Sequence, residues 1–366
     1  MKKGWSDMDT PLEKVTGFIR EKKVDGVFFR KRNNFSWMTG GKVNHIVNTT
    51  EIGVADLVIF EDRKYCITSK MELARIKDEE LDGLGYEFIS MEWYEDQDEA
   101  IRNLCKGKTM ATDVPFEGFL DFGLELASLR FTLNEEEITR YRLLSEKAAK
   151  AVEAACHEVE PGWTEYEIAA HLAGKVMKDG INPQVILVST DERVFKYRHP
   201  IPTAKKLEKY AMVVLCAEKG GLVANVTRFV HFGKLPEKLV ENKQKLVQIE
   251  VAMVAATRPG TAIKDVLQLG LDQYKEVGHP EDWRFLHQGG PTGYASREFI
   301  ATPESKGVVH LNQAFAWNPA IEGIKLEDTI LVGEHENEIM TYTGDWVYME
   351  IEHEGKKYLR PDILVR

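Results

Sequence analysis

Apolar residues in the first third of the chain recur at two different periods. Residues 12–22 place them at helical spacing, and Val27, Phe28 and Phe29 form a short run of strand character. Residues 53–60 and 64–68 are extended runs on either side of Glu61, Asp62 and Arg63, which predicts a hairpin. The helical period returns over 71–81 and again over 99–105, with extended runs over 86–91 and 109–114. That mixture predicts a small α/β unit. A change follows near residues 129–133, after which Asn134, Glu135, Glu136 and Glu137 supply a cap and an acidic first turn. The stripe Tyr141, Leu144, Ala148, Ala151, Ala155 then marks a long amphipathic helix. We expect two domains, over 1–130 and 131–366.

The second of these repeats itself. Glu160-Pro161-Gly162 ends one helical pattern, residues 163–179 form the next, and Gly180 stops it. Arg258-Pro259-Gly260, residues 261–277 and Gly278 do the same, every punctuation mark displaced by 98 residues. A hairpin pattern follows each helix pair. A two-residue turn at Gly220-Gly221 pairs Lys219 with Leu222 and so sets Cys216 opposite Asn225. A turn at Glu322-Gly323 pairs Ile321 with Ile324 and sets Asn318 opposite Glu327, with the second hairpin 102 residues after the first (318 − 216). The chain thus encodes two similar helix–helix–hairpin halves, each presenting one facing pair.

Composition narrows the function. With 48 Lys+Arg against 59 Asp+Glu the net charge is −11, which disfavours nucleic acid or an anionic membrane as partner. No apolar run approaches the length of a membrane span, and the two lysines at the start precede no apolar stretch of a secretory leader. Cys66, Cys105, Cys156 and Cys216 are scattered without a CxxC pair, as in a reduced, cytoplasmic protein.

Five further features come in a fixed order. They are Arg198-His199-Pro200, Asn225-Val226-Thr227-Arg228, His287-Gln288-Gly289-Gly290, Asn318-Pro319, and the strand from Leu326-Glu327-Asp328 to Val332. In this order, and on top of the repeat, the chain resembles the creatinase/aminopeptidase P group over nearly its whole length. The resemblance implies an α+β architecture: a C-terminal pita-bread domain of two pseudo-symmetric halves behind a smaller N-terminal α/β domain. It also implies a homodimer. Peptidases of that group hold two divalent metals through two Asp, one His and two Glu, and position by position these fall on Cys216, Asn225, His287, Asn318 and Glu327. Only His287 and Glu327 keep the ligand chemistry. Two dications about 3.5 Å apart repel by roughly 19 kcal/mol at an effective dielectric near 20. Four carboxylates offset that; one carboxylate, two amides and a thiol do not. We expect no cofactor, while a single softer ion on His287 and Glu327 with Cys216, or a carboxylate from Glu218, stays open.

Creatinase, which shares the fold and works without metal through a histidine, is the precedent within the group. His199 stands at the position resembling that histidine, and Arg198 beside it is expected to lower the imidazole pKa; the alternative is a loop cap ahead of Pro200. His287 lies in a glycine-rich turn that lets backbone approach a ligand. Asn225 and Asn318 offer hydrogen bonds where the peptidases have anions. Arg228 is either a substrate ligand or an ion-pair anchor of its hairpin. Tyr294, Arg297 and Glu298 follow the glycine turn, and Arg297 there suggests an anion clamp. Trp37 and His45 fall in N-terminal loops, over 33–37 and 44–46, with more polar groups than simple packing needs, and in creatinase-like dimers such loops reach the partner's pocket.

Three functions follow. The first is metal-independent hydrolysis of a C–N bond in a small polar substrate or short peptide, with His199 as base and His287 and Glu327 assisting. The second is a metal-dependent Xaa-Pro aminopeptidase or dipeptidase. The third is a non-catalytic binding protein on the same fold.

Overall fold

The computed structural model describes residues 10–366; the expectation of no secretory leader concerns residues outside them. Two compact units divide the chain, the first running to Asn134 and including Gly220–Leu222, the second built from Glu135–Lys219 and Val223–Arg366.

In the first unit, helices α1 (Pro11–Lys22), α2 (Arg32–Met38), α3 (Lys70–Arg75), α4 (Gln97–Leu104) and α5 (Gly123–Ser128) accompany a sheet. Its strands are β1 (Gly26–Lys31), β2 (Ile52–Phe60), β3 (Lys64–Ser69), β4 (Glu87–Met91), β5 (Met110–Thr112) and β6 (Leu120–Asp121), in the order β4-β3-β2-β1-β5-β6. Thr10 and Glu13 close a capping box that starts α1. Phe28, Val58, Ile67, Ile101 and Met110 pack together beneath the sheet. One local expectation fails: Asn33 to Trp37 is not a loop but the body of α2. Two of its polar groups are met by tertiary bonds, Asn34 Nδ2 donating to Asp113 at 2.7 Å and Ser36 Oγ to the Lys42 carbonyl at 2.7 Å, while Trp37 Nε1 is buried without a partner.

The second unit runs α6 (Glu135–Glu158), α7 (Glu165–Met177), β7 (Asn182–Thr190), α8 (Glu192–Lys196), β8 (Tyr210–Lys219), β9 (Leu222–His231), α9 (Glu237–Ala256) and α10 (Ile263–Glu276). Short strands complete it: β10 (Gly289–Thr292), β11 (Ala314–Trp317), β12 (Ala320–Ile321), β13 (Ile324–Lys325), β14 (Ile330–Leu331), β15 (Glu338–Ile339), β16 (Tyr348–His353), β17 (Lys356–Pro361) and β18 (Leu364–Val365). Two four-stranded sheets result, β18-β9-β8-β7 and β10-β11-β14-β15.

The internal repeat survives at the level of single hydrogen bonds. Gly162 N–H donates to the Leu207 carbonyl at 2.7 Å, and Gly260 N–H to that of Val309 at 2.9 Å. Leu207 N–H returns to Trp163 and Val309 N–H to Thr261, both at 2.8 Å. Isolated bridges join Thr164 to Lys206 and Ala262 to Val308. On the helix side each partner moves by 98 residues and on the hairpin side by 102, the two offsets read from the sequence. Gly162 and Gly260 both have positive φ, 95° and 88°, which explains why glycine recurs at that turn. Among the described residues no helix is long and apolar enough to cross a membrane.

Candidate functional site

Strand periodicity sorts the functional side chains to two sides. Along residues 225–228 and 327–328, alternate residues point oppositely. One side is structural. Arg228, 1% exposed, binds Asp328 at 2.9 Å and Glu153 at 3.2 Å and donates to the Thr227 and Thr341 carbonyls. Asp328 also accepts from Arg360 at 2.7 Å, and Arg360 pairs with Glu250 of α9. Arg228 is therefore an ion-pair anchor, and its guanidinium is used up in that network rather than left for substrate.

The other side carries the candidate chemistry. Ile321 pairs with Ile324 and Ala320 with Lys325, so the β12–β13 register is the one expected, and Leu326 N–H continues it by donating to the Pro319 carbonyl. That places Asn318 opposite Glu327. Both oxygens of Glu327 are held by cations: Arg297 Nη2 sits 2.7 Å from Oε1, and Lys325 Nζ 2.7 Å from Oε2. Thr227 Oγ1 adds a bond to Oε2 at 2.8 Å. Glu327 and Lys325 are 3% and 5% exposed. Burial alone would raise the carboxyl pKa; the fields and hydrogen bonds of Lys325 and Arg297 overcome it and bring it down to about 2.

Asn225 lies two residues before Thr227 on the same face of β9. Its Nδ2 donates to Thr292 at 3.1 Å, while its Oδ1 is buried without a partner. Asn318 Oδ1, His287 Nδ1 and Arg297 Nε are in the same state. Such unmet groups also occur elsewhere, as at Ser145 and Ser189, but four of them on the residues around Glu327 make this the candidate place for a ligand. The His287 turn is fixed by Gln288, whose Oε1 accepts from Tyr274 at 2.9 Å, and the Tyr274 hydroxyl in turn accepts from Ala320 N–H at 2.8 Å. Gly289 lets this turn approach β11. Its φ is +100°, and a Cβ there would lie 2.1 Å from the Ala316 carbonyl oxygen and 2.8 Å from Asn318 Oδ1. Gly289→Ala should therefore cost about 1–3 kcal/mol of backbone strain before the clash is counted, read as a lower midpoint in urea denaturation.

His199 and His287 face each other with ring centroids 5.7 Å apart. Burial lowers the pKa of both; for His287 it falls to about 4, with Arg297 and His199 assisting and Glu327 opposing. For His199 burial is followed by Lys325, with Arg297 adding a little and Glu327 opposing. Arg198 plays no part in that shift; it turns instead to the Ile321 carbonyl at 3.3 Å. Both imidazoles are neutral near pH 7. Cys216, 8% exposed, feels the same cluster, and burial followed by Glu327 pushes its thiol up to about 12.

The remaining candidates lie elsewhere. The Tyr294 hydroxyl donates to Glu137 at 2.8 Å and accepts from Arg140 at 3.1 Å, so it fastens its turn to α6. Glu298 accepts from Tyr294 N–H at 3.0 Å and closes the same turn. Glu218 accepts from Asn182 on β7 at 2.9 Å. Trp37 is 1% exposed and edge-on to Phe29, in the core of the first unit, to which His45 also belongs. From sequence, Lys325 reads only as the cation that an ordinary strand acid at 327 would face, not as a member of the site. Its signal was the two-residue spacing from Glu327, which puts both on one face of a strand.

Comparison with known proteins bears on the whole chain. An uncharacterized peptidase of Staphylococcus saprophyticus is 22% identical over 350 residues, 90% of this chain and 98% of that one. The prolidase of Pyrococcus horikoshii superposes with a TM-score of 0.77 at 19% identity, covering 91% of this chain and 98% of its own. A Xaa-Pro dipeptidase from Bacillus anthracis gives 0.78 at 18%, covering 97% and 99%. These structures share the fold. The model of metallopeptidase family M24 matches residues 139–334, from within α6 to just past β14 and so across Glu327 and Asp328, and the chain belongs to that family of hydrolases.

Proposed function

We propose that the protein hydrolyses a C–N bond of a small polar substrate without a metal ion, with His199 as general base. The observation that carries this reading is the double clamp on Glu327. The family resemblance implies two divalent ions among Cys216, Asn225, His287, Asn318 and Glu327, and this donor set does not fit them. Two donors are amides and one is a thiol that burial keeps protonated. The single carboxylate already has an ammonium on one oxygen and a guanidinium on the other. Among the described residues no group of three or more His, Cys, Asp or Glu side chains is placed to hold a metal ion. Two fixed organic cations thus stand against the carboxylate that would bridge the metals.

In this mechanism neutral His199 accepts a proton from water as the water oxygen adds to the substrate carbon. The imidazolium then returns the proton to the leaving nitrogen as the C–N bond breaks. Arg297 Nε–H, buried and unpartnered, is the donor available to the oxygen on which charge develops. The Oδ1 atoms of Asn225 and Asn318 accept from substrate N–H groups. The same reading keeps the assembly that the resemblance implies, a cytoplasmic homodimer.

The test is elemental analysis of the purified protein together with activity on a panel of small amides and amidines. We expect less than stoichiometric manganese, cobalt or zinc and turnover that survives chelator. Activity on a Xaa-Pro dipeptide that appears only when manganese is added would replace this reading with a metal-dependent Xaa-Pro peptidase, the activity named for the Bacillus anthracis structure.

A further inference from the structure

Beside His199 the surface opens into a depression of about 380 Å³, lined by Phe195, Lys196, Tyr197, Arg198, His199 and Phe285. That volume lies in the range of small-ligand sites. Three aromatic rings stand unusually open there, Phe195 at 38%, Tyr197 at 48% and Phe285 at 65% exposure. Among the described residues no acidic side chain lines it. Glu192, which feels the charge of Lys196, is itself paired with Lys205 at 3.1 Å. The Arg198 guanidinium meets a carbonyl, that of Ile321, rather than a carboxylate. In a chain of net charge −11, Lys196 and Arg198 together on one wall are a local concentration of positive charge, with Glu192 the acid whose field reaches Lys196.

The depression is also built onto the candidate site. Phe195 packs against Gly323, where a Cβ would come within 2.4 Å of its ring, so one wall rests on the turn of the β12–β13 hairpin. Tyr197 and Arg198 continue into a narrow slit that ends at Lys325.

We propose that this depression is a substrate subsite for a carboxylate carried on an aromatic or flat apolar group. The acid lies between Lys196 and Arg198, the ring rests on Phe195, Tyr197 and Phe285, and the bond to be cleaved is thereby presented to His199. Two cations, one of them already sharing its guanidinium with a carbonyl, suit a singly charged carboxylate better than a doubly charged phosphate. The inference builds on the reading of His199 as base, but its test reads binding and needs no turnover.

Hippurate, its neutral amide hippuramide and phenyl phosphate serve as probes, titrated by calorimetry against the full chain. We expect hippurate to bind roughly tenfold tighter than hippuramide, about the worth of one charge pair in a partly desolvated site. That preference should shrink with added salt and vanish in Lys196→Glu, an exposed position where folding is not at risk. Phe285→Ala should weaken acid and amide alike. Equal affinities for acid and amide, an unchanged preference in Lys196→Glu, no hippurate binding at millimolar concentration, or tighter binding of phenyl phosphate would each overturn the proposal. Intact hippurate binding beside chelator-sensitive activity would overturn metal independence alone, leaving the subsite in place.

Discussion

Glu327→Gln should cost about 3–5 kcal/mol of folding stability, while Lys325→Met should cost much less or even stabilise. The asymmetry follows from counting charges in the cluster. Glu327 stands between Lys325 and Arg297, each 2.7 Å from one of its oxygens. An isosteric amide preserves shape but leaves two cations in a buried space with nothing opposite them. Losing Lys325 instead leaves Glu327 and Arg297 as a matched pair and removes one desolvated ammonium. Urea denaturation at neutral pH measures both variants. The acid limb gives a second reading. The Glu327 carboxyl falls from its ordinary 4.5 to about 2 in the folded chain. A depressed pKa contributes stability that is fully present above 4.5 and is lost as the pH falls toward 2, in all about 3 kcal/mol. Glu327→Gln should lack that part of the wild-type decline. A Gln variant as stable as wild type, or a Lys325→Met variant that is the more damaged of the two, would show that the clamp is not what organises the cluster.

Why this cluster was only half legible follows from what sequence encodes locally. The duplicated halves were readable because their punctuation is local: Pro-Gly helix exits and two-residue turns recur at fixed offsets, and the bridges Thr164–Lys206 and Ala262–Val308 keep them. The opposition of Asn318 and Glu327 was readable because one turn sets the register. From sequence Lys325 reads only as a cation that an ordinary acid at 327 would face, because a strand lysine is by default a surface residue; here it is 5% exposed because the Glu327 carboxylate two residues on compensates it. The lowered pKa of His199 was foreseen with the wrong cause. Its neighbour Arg198 turns to a backbone carbonyl, and after burial the largest field is that of Lys325, distant in sequence and near in space. Trp37 was misplaced for a similar reason. The polar groups around it argue for a loop until Asp113 and the Lys42 carbonyl are seen to satisfy them. In each case a patterned segment was readable, and a long-range charge or hydrogen bond was not.

His199→Ala should lower kcat by about 10²–10⁴-fold with little change in melting temperature, because the side chain is exposed and its loss empties no core. The loss alone does not establish a base, since a positioning role would also slow turnover. The pH profile separates the two. Burial and Lys325 hold the His199 pKa below its ordinary 6.5. The base form therefore dominates above that pH, and kcat/KM in the wild type should rise from the acid side to a plateau with its midpoint below 6.5. Lys325→Met removes a charge that depresses this pKa while leaving His199 untouched. Its acid limb should accordingly move to higher pH. His287→Ala should slow turnover without moving the limb upward to the same degree, because neutral His287 carries no charge near pH 6, its own pKa lying at about 4. An acid limb that stays fixed in Lys325→Met, or one that persists in the residual activity of His199→Ala, would assign the titrating base to another group and remove His199 from the proton path.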